Sequence, residues 1–211
     1  MEQAEAILKA GDALIFPTDT VWGIGVAVKF AQDAQALAAT KGRSNQKPIA
    51  WLVGSADALG EYGSAVPSYA AALADAFWPG PLTLVVKASS AVPNGFRAAS
   101  GTIGLRMPGL APIARLASAI ESPLAVTSAN FAGEPAVPSG EQLDARFVEA
   151  SHAAVLALSE RLPQGGIAST VVDCTASAPK LLRAGTISAS EIESACGLPC
   201  MRADESPTSG R

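Results

Sequence analysis

The sequence is poor in the residue types on which most catalytic and metal-binding sites depend. Its 211 residues include one histidine, His152, and three cysteines, Cys174, Cys196 and Cys200. A zinc site needs three or four such ligands within reach, and these residues form no paired motif, so we expect no dedicated metal site. His152 lies in an alanine-rich segment, where a lone histidine is usually an ordinary surface residue. We therefore expect chemistry that uses neither imidazole nor thiolate.

Charged and aromatic residues are also scarce. They make up 16% and 5% of the chain, and the formal net charge is −4. This balance argues against a protein that coats nucleic acid, because such proteins carry basic surfaces. No apolar run is long enough to cross a bilayer, and Glu2 and Glu5 stand where a signal peptide would be basic. We expect a cytoplasmic protein that does not enter a membrane.

Apolar residues, in contrast, make up 49% of the chain, which is enough for one large core. Helical and strand patterns alternate without a repeat or a convincing linker, which is typical of an α/β or α+β domain. We predict one domain over residues 1–201 and a disordered tail over residues 202–211, which is rich in Ser, Pro and Gly.

The local patterns predict the following elements. Helices are expected at residues 2–9, at 31–41 and, with Ser68 as the N-cap, at 69–77. A further helix is expected with Pro112 in its first turn, and two more after the capping positions Ser139 and Ser188. Strands are expected at residues 13–16, 49–53, 82–86, 103–105, 124–126, 154–158, 170–173 and 180–182.

Polar clusters follow several of these strands, and ligands of open α/β sheets bind at such strand ends. The clusters are residues 17–25, 41–48, 127–130, 165–170 and 183–185. Simpler interpretations exist: Lys41 and Arg43 could complement a helix dipole, 127–130 could be an ordinary turn, and Arg106 and Arg183 could be surface ion-pair partners. Together, however, they predict a site for phosphate and carboxylate groups, since Arg, Lys and hydroxyls are the donors such anions need.

Standard nucleotide-binding and hydrolase motifs are absent. No G-x-x-x-x-G-K-[S/T] segment occurs, and Gly23 and Gly25 are followed by Val28 where a dinucleotide fingerprint needs a third glycine. No G-x-S-x-G elbow occurs either. The predicted anion site must therefore be built in another way.

Five segments occur in an order that resembles the YrdC family of threonylcarbamoyl-AMP synthases. They are Pro17-Thr-Asp-Thr-Val-Trp-Gly-Ile-Gly25, Lys41-Gly-Arg43 with Lys47-Pro48, Trp78-Pro-Gly-Pro-Leu-Thr83, Ile103-Gly-Leu-Arg106 and Thr127-Ser-Ala-Asn130, and Ser169-Thr170 with Arg183-Ala-Gly185 extends the match. Two positions depart from the family pattern: Ser44 replaces a usual proline, and Trp22 replaces a tyrosine or phenylalanine. Neither departure removes a charge.

The resemblance implies a twisted, open mixed α/β sheet with flanking helices around a deep basic cavity. The implied reaction joins L-threonine, bicarbonate and ATP into threonylcarbamoyl-AMP and releases pyrophosphate. Mg²⁺ would enter with ATP. A separate threonylcarbamoyl transferase complex would then modify tRNA beside the anticodon, and tRNA would be met through that complex.

The resemblance also implies roles for individual residues. The nucleotide phosphates would be bound by Lys41, Arg43, Ser128, Asn130 and Arg183, of which Lys41 and Arg43 would be catalytic. L-threonine would be held by Thr20, Arg106 and Ser169, with Arg106 at its carboxylate. Lys47 would extend the cationic rim, and residues 44–47 are a candidate lid.

Two alternatives stay open. One is a relative with another carbamoyl-transfer task, such as the YrdC-like domain of hydrogenase-maturation carbamoyltransferases, although those chains are longer and rich in cysteine. The other is an RNA-binding module without catalysis, against which the net charge of −4 and the low aromatic content argue.

Overall fold

The computed structural model describes residues 1–34, 37, 49–158 and 166–202. The helices in these residues are α1 (Glu2–Lys9), α2 (Ala58–Tyr62), α3 (Ser68–Phe77), α4 (Ala111–Ala119), α5 (Ala145–Ser151) and α6 (Ala189–Cys196). The strands are β1 (Leu14–Phe16), β2 (Gly23–Ala27), β3 (Ala50–Leu52), β4 (Leu82–Lys87), β5 (Thr102–Arg106), β6 (Leu124–Ser128), β7 (Ala154–Val155), β8 (Thr170–Asp173), β9 (Lys180–Arg183) and β10 (Met201–Arg202).

The strands of the described residues form one mixed sheet in the order β10-β9-β8-β4-β5-β3-β6-β2-β1-β7. Parallel pairs join β3 to β5 and β4 to β8, whereas β4–β5, β3–β6 and β2–β6 are antiparallel. The predicted mixed α/β sheet with flanking helices is therefore confirmed.

Hydrophobic side chains cover both faces of this sheet. Successive strand residues point to opposite faces, so Ile15 packs into one cluster while Leu14 and Phe16 pack into the other. Leu8 of α1 and Ile113 of α4 complete the second cluster, whereas α3 and α6 lie against the first. None of the helices described is long and apolar enough to cross a membrane.

Strand β2 is the main element that the sequence did not predict, because its glycines read as part of a polar loop. Only glycine fits at these positions without a shift, because a Cβ at Gly23 or Gly25 would lie 2.8 Å from the side chain of Val126 in the neighbouring strand. These glycines let β2 pair closely with β6, with Gly23 opposite Ser128. The segment between β1 and β2 is thereby fixed at both ends.

Two predicted helix starts are wrong. Ser68 is already inside α3, whose preceding residue is Pro67, and it makes no capping bond. Ser139 precedes only a short 3₁₀ turn, and the helix begins later, where the carboxylate of Asp144 accepts from the backbone of Arg146. By contrast, the capping box of Ser188 and Glu191 at α6 is confirmed. Helix α2 was not predicted.

Two further predictions are contradicted in part by the structure. Residues 31–34 of the predicted helix 31–41 are not helical and Leu37 is, while the remaining positions lie outside the described residues. Arg202, the first residue of the predicted tail, pairs with Leu181 in β10, and residues 203–211 lie outside the described residues.

Candidate active site

A cavity of about 480 Å³ opens where the ends of β5, β6 and β9 meet the segments that follow β1 and precede β8. Six of the predicted site residues line it, namely Thr20, Arg106, Ser128, Asn130, Ser169 and Arg183. Lys41, Arg43 and Lys47 lie outside the described residues, as does the candidate lid at residues 44–47.

The turn after β1 is organised by the hydroxyl of Thr18. This hydroxyl donates to the carbonyl of Val21 at 2.7 Å and accepts from the backbone N–H of Thr20 at 3.1 Å. It also accepts from the backbone N–H of Val21 at 3.3 Å, and the Thr20 hydroxyl lies 3.0 Å from it. These bonds hold Thr20 at the cavity.

Arg106, the last residue of β5, lies under the cavity with 5% of its surface exposed. Its Nε donates to the carbonyl of Gly80 at 3.0 Å, its Nη1 to the hydroxyl of Thr20 at 2.9 Å and its Nη2 to the carboxylate of Asp19. A guanidinium has five N–H donors, so within the described part of the chain one hydrogen on each terminal nitrogen is left for a ligand. A carboxylate is the group that such a planar pair of donors fits best.

Ser169 is held from two sides. The Nε of Arg183 donates to the carbonyl of Ser169 and a terminal nitrogen of Arg183 donates to its hydroxyl, both at 3.0 Å. The hydroxyl of Thr83 lies 2.9 Å from the same Ser169 hydroxyl. Arg183 is thus fixed at the cavity by the residue that the family resemblance assigns to the amino acid.

The positive charge of Arg106 acts on Arg183. Burial of the Arg183 guanidinium, and next the positive charge of Arg106, hold the pKa of Arg183 below its ordinary value. Arg106 has the carboxylate of Asp19 as a partner, whereas Arg183 donates only to neutral oxygens in the described residues. An anion bound between the arginines would therefore relieve their repulsion.

Ser128 and Asn130 form another part of the cavity wall. Ser128 ends β6 opposite Gly23. Asn130, with 7% of its surface exposed, donates from its amide to the carbonyls of Phe131 at 3.2 Å and Glu134 at 2.7 Å. Its amide nitrogen therefore shapes the loop that follows β6, which also lines the cavity.

The remaining singled-out residues have ordinary positions. Trp22, one of the departures from the family pattern, is buried and lines the cavity; Ser44 lies outside the described residues. His152 is exposed at the end of α5. Cys174 and Cys200 are buried. Among the described residues, no group of three or more His, Cys, Asp or Glu side chains could hold a metal ion.

The sequence predicted no role in the site for Thr18, Asp19 or Thr83, although all three lie in segments that carry the family resemblance. Thr83 left a signal, because it places a hydroxyl inside an apolar run that is otherwise buried on both faces. Asp19 belongs to the polar cluster 17–25, but nothing in the sequence indicated its burial, since an acidic residue in a loop is normally solvated. Its burial depends on Arg106, which lies 87 positions away in the sequence.

The chain is similar to known proteins over most of its length. The family profile described as "Telomere recombination" and named Sua5/YciO/YrdC matches residues 6–185. A relative from Mycobacterium tuberculosis is 38% identical over 196 residues, which is 92% of this chain and 88% of that protein. The threonylcarbamoyl-AMP synthase of Pyrococcus abyssi is 32% identical over 194 residues, which is 92% of this chain and 56% of that protein.

The solved structures agree with the sequence relatives. The crystal structure of P. abyssi Sua5 complexed with L-threonine superimposes with a TM-score of 0.82 and 30% identity, and covers 94% of this chain and 58% of that one. Escherichia coli YciO, at 22% identity and a TM-score of 0.76 over 90% of this chain and 91% of that one, shares the fold.

Proposed function

This chain belongs to the Sua5/YciO/YrdC family, and from that premise we propose that it is a nucleotidyltransferase that makes threonylcarbamoyl-AMP from L-threonine, bicarbonate and ATP. The proposal is supported by relatives named threonylcarbamoyl-AMP synthase, which are 32–33% identical over 92% of the chain. Those relatives are longer, because the matched part is 56% of each.

The observation that supports the proposal best is the convergence of Arg106, Ser169 and Arg183 on one cavity. Their separation in sequence is large, yet Arg183 contacts Ser169 directly and lies close enough to Arg106 for its pKa to respond. A carboxylate at Arg106 and a phosphate at Arg183 would then be neighbours. A volume of about 480 Å³ is within the usual range for small-molecule sites.

The chemistry needs orientation and charge neutralisation more than a strong base. The amine of threonine and bicarbonate form a carbamate with loss of water. A carbamate oxygen then attacks the α-phosphorus of ATP, an O–P bond forms, and the bond to the leaving pyrophosphate breaks. Such transfers are accelerated chiefly by positioning and by fixed positive charge.

The residues divide between the two substrates in this proposal. Arg106 takes the threonine carboxylate with the N–H groups that Asp19, Thr20 and Gly80 leave over, while Thr20 and Ser169 place the rest of the amino acid. On the nucleotide side, Ser128, Asn130 and Arg183 bind the phosphates. Lys41 and Arg43 offset the charge that develops on them, and Lys47 extends the cationic rim.

Magnesium enters this reaction as the counter-ion of ATP, which it carries through the phosphate oxygens. The product is a labile mixed anhydride, so exclusion of water from the cavity favours its survival. We further propose that the product passes to a threonylcarbamoyl transferase complex that modifies tRNA, and that both steps take place in the cytoplasm.

The test is to incubate the purified chain with Mg-ATP, ¹⁴C-bicarbonate and single L-amino acids, and to follow pyrophosphate and labelled acyl-adenylate. We expect pyrophosphate and labelled product in equal amounts with L-threonine and much less with L-valine. Omission of bicarbonate should stop both. Pyrophosphate release that does not depend on threonine and bicarbonate would contradict the proposal.

An RNA-binding module without catalysis is tested in parallel by filter binding of tRNA across a salt series. Binding through phosphates would weaken steeply as salt rises. Tight, salt-dependent tRNA binding without turnover of ATP would favour that reading.

A further inference from the structure

Thr83 is a buried cavity residue to which neither the relatives nor the sequence motifs give a role. It lies in β4 with 4% of its surface exposed, lines the cavity, and places its hydroxyl 2.9 Å from that of Ser169. The antiparallel register of β4 and β5 pairs Leu84 with Leu105. One residue further along, Thr83 is therefore the cross-strand neighbour of Arg106.

The orientation of the Thr83 side chain is fixed by its own branching. Its methyl carbon faces Gly104 of the adjacent strand, where a Cβ would lie 3.4 Å away. Since a β-branched side chain in a strand has few accessible rotamers, a methyl that faces Gly104 sets the direction of the hydroxyl. That direction is towards Ser169.

The hydroxyl protons of Ser169 and Thr83 determine what this pair can offer a ligand. The Ser169 hydroxyl has one proton and two acceptor positions, and one acceptor position is taken by the guanidinium of Arg183, which can only donate. If Thr83 donates to Ser169, the proton of Ser169 remains for the cavity. If Ser169 donates to Thr83, the proton of Thr83 remains instead. In both cases the pair keeps one hydroxyl proton for a ligand.

Thr20 offers an acceptor to the same site. Its hydroxyl accepts from Arg106, and because Thr18 gives its only proton to Val21, the second acceptor position of Thr20 remains. The described residues therefore offer a bound amino acid two N–H groups from Arg106, one hydroxyl donor from the Thr83–Ser169 pair and one hydroxyl acceptor from Thr20. An α-amino acid with donors and acceptors of its own can satisfy all of them.

From this arrangement we infer that Thr83 is a positioning residue of the amino-acid subsite, which acts by fixing the hydroxyl of Ser169 so that one donor points to the ligand. The inference rests on the proposed function for the identity of the ligand, L-threonine. In this role Thr83 donates to Ser169, so the Ser169 hydroxyl is the donor that meets the amino acid and Thr83 acts through it.

The test compares Thr83→Val, which keeps the shape and removes the hydroxyl, with Thr83→Ser, which keeps the hydroxyl. Loss of one hydrogen bond of ordinary strength predicts L-threonine affinity about three- to tenfold weaker for Thr83→Val. Calorimetry should show this change, and the KM for threonine should rise likewise with kcat within about twofold. Thr83→Ser should return both to within about twofold of wild type.

A matched control is Thr102→Val in β5, whose hydroxyl contacts Ser100 on the exposed surface. This variant should leave threonine affinity unchanged. The melting temperature of Thr83→Val should stay close to that of wild type, because valine suits a buried strand position.

The double variant Thr83→Val/Ser169→Ala separates positioning from direct contact. If Thr83 acts through Ser169, Thr83→Val adds no further loss of threonine affinity in the Ser169→Ala background. Additive losses, unchanged affinity in Thr83→Val, or failure of Thr83→Ser to restore binding would each overturn the inference. A wild-type chain that binds threonine but makes no adenylate would instead overturn the proposed function and leave this comparison intact. A wild-type chain that binds no threonine would overturn both.

Discussion

Arg106 and Asp19 form an ion pair inside the protein, with 6% and 11% of their side-chain surfaces exposed. Removal of one member of such a pair leaves a buried charge without its counter-ion. We expect Asp19→Ala to lower the free energy of unfolding by about 3–5 kcal/mol in urea denaturation. The double variant Asp19→Ala/Arg106→Ala should lose less than the sum of the single losses, and simple additivity would show that the pair is not coupled.

The Asp19 carboxylate lies in space that is open because residue 109 is a glycine. A Cβ at Gly109 would lie 3.0 Å from Oδ2 of Asp19, which is too close without a shift of the carboxylate. We expect Gly109→Ala to weaken L-threonine binding several-fold in calorimetry, because the shift would pass to Arg106. The control is Gly60→Ala in α2, where a Cβ would meet nothing within 4 Å. Equal behaviour of the two variants would disprove this link.

Removal of Arg43 should impair synthesis, whereas removal of Arg106 should impair threonine binding. Arg43→Ala is expected to lower synthesis by roughly 10²–10³-fold, the usual effect of losing one preorganised donor, with threonine affinity unchanged. Arg106→Ala should chiefly weaken threonine affinity. The pyrophosphate assay and calorimetry measure the two effects, and the exposed Arg115→Ala is the control. Near-normal synthesis by Arg43→Ala would remove Arg43 from the mechanism.

Arg183 should link the two substrates, because it is fixed by Ser169. Arg183→Ala is expected to raise the KM for ATP and for threonine, since Ser169 loses two hydrogen bonds. Ser169→Ala should raise the KM for threonine with a smaller effect on ATP, because the backbone carbonyl that holds Arg183 remains. Steady-state kinetics with each substrate varied in turn distinguish these patterns. An Arg183→Ala effect confined to ATP would contradict the link.

Burial raises the pKa of the Cys174 thiol to about 12, with the Asp173 carboxylate as the next cause. In the unfolded chain a thiol ionises near 8.5. Above that pH the unfolded state binds fewer protons than the folded state, so the free energy of unfolding should fall by roughly 1.4 kcal/mol per pH unit through this group. Urea denaturation at pH 8 and 10 measures the loss, and Cys174→Ala should show a smaller one. An identical pH dependence in both proteins would refute the assignment.

The sequence predicted most strands, because continuous apolar runs such as 82–86 mark strands that are buried on both faces. It missed β2, whose glycines lack any apolar signal and are explained only by the approach of Val126. It predicted the six site residues that the structure brings to one cavity. It could not predict Asp19 or the direction of the Thr83 hydroxyl, since both depend on partners 86 or more positions away.

The pairing of distant segments has a consequence for how the binding site comes into being. Thr20 meets Arg106, and Thr83 meets Ser169, across 86 residues each, and strands from both halves of the chain are interleaved in the sheet. A fragment limited to either half of the chain therefore lacks part of the site, which is complete only when these long-range contacts have formed. Binding of an amino acid or a nucleotide is consequently a measure of complete folding. By mass action it also stabilises the folded molecule.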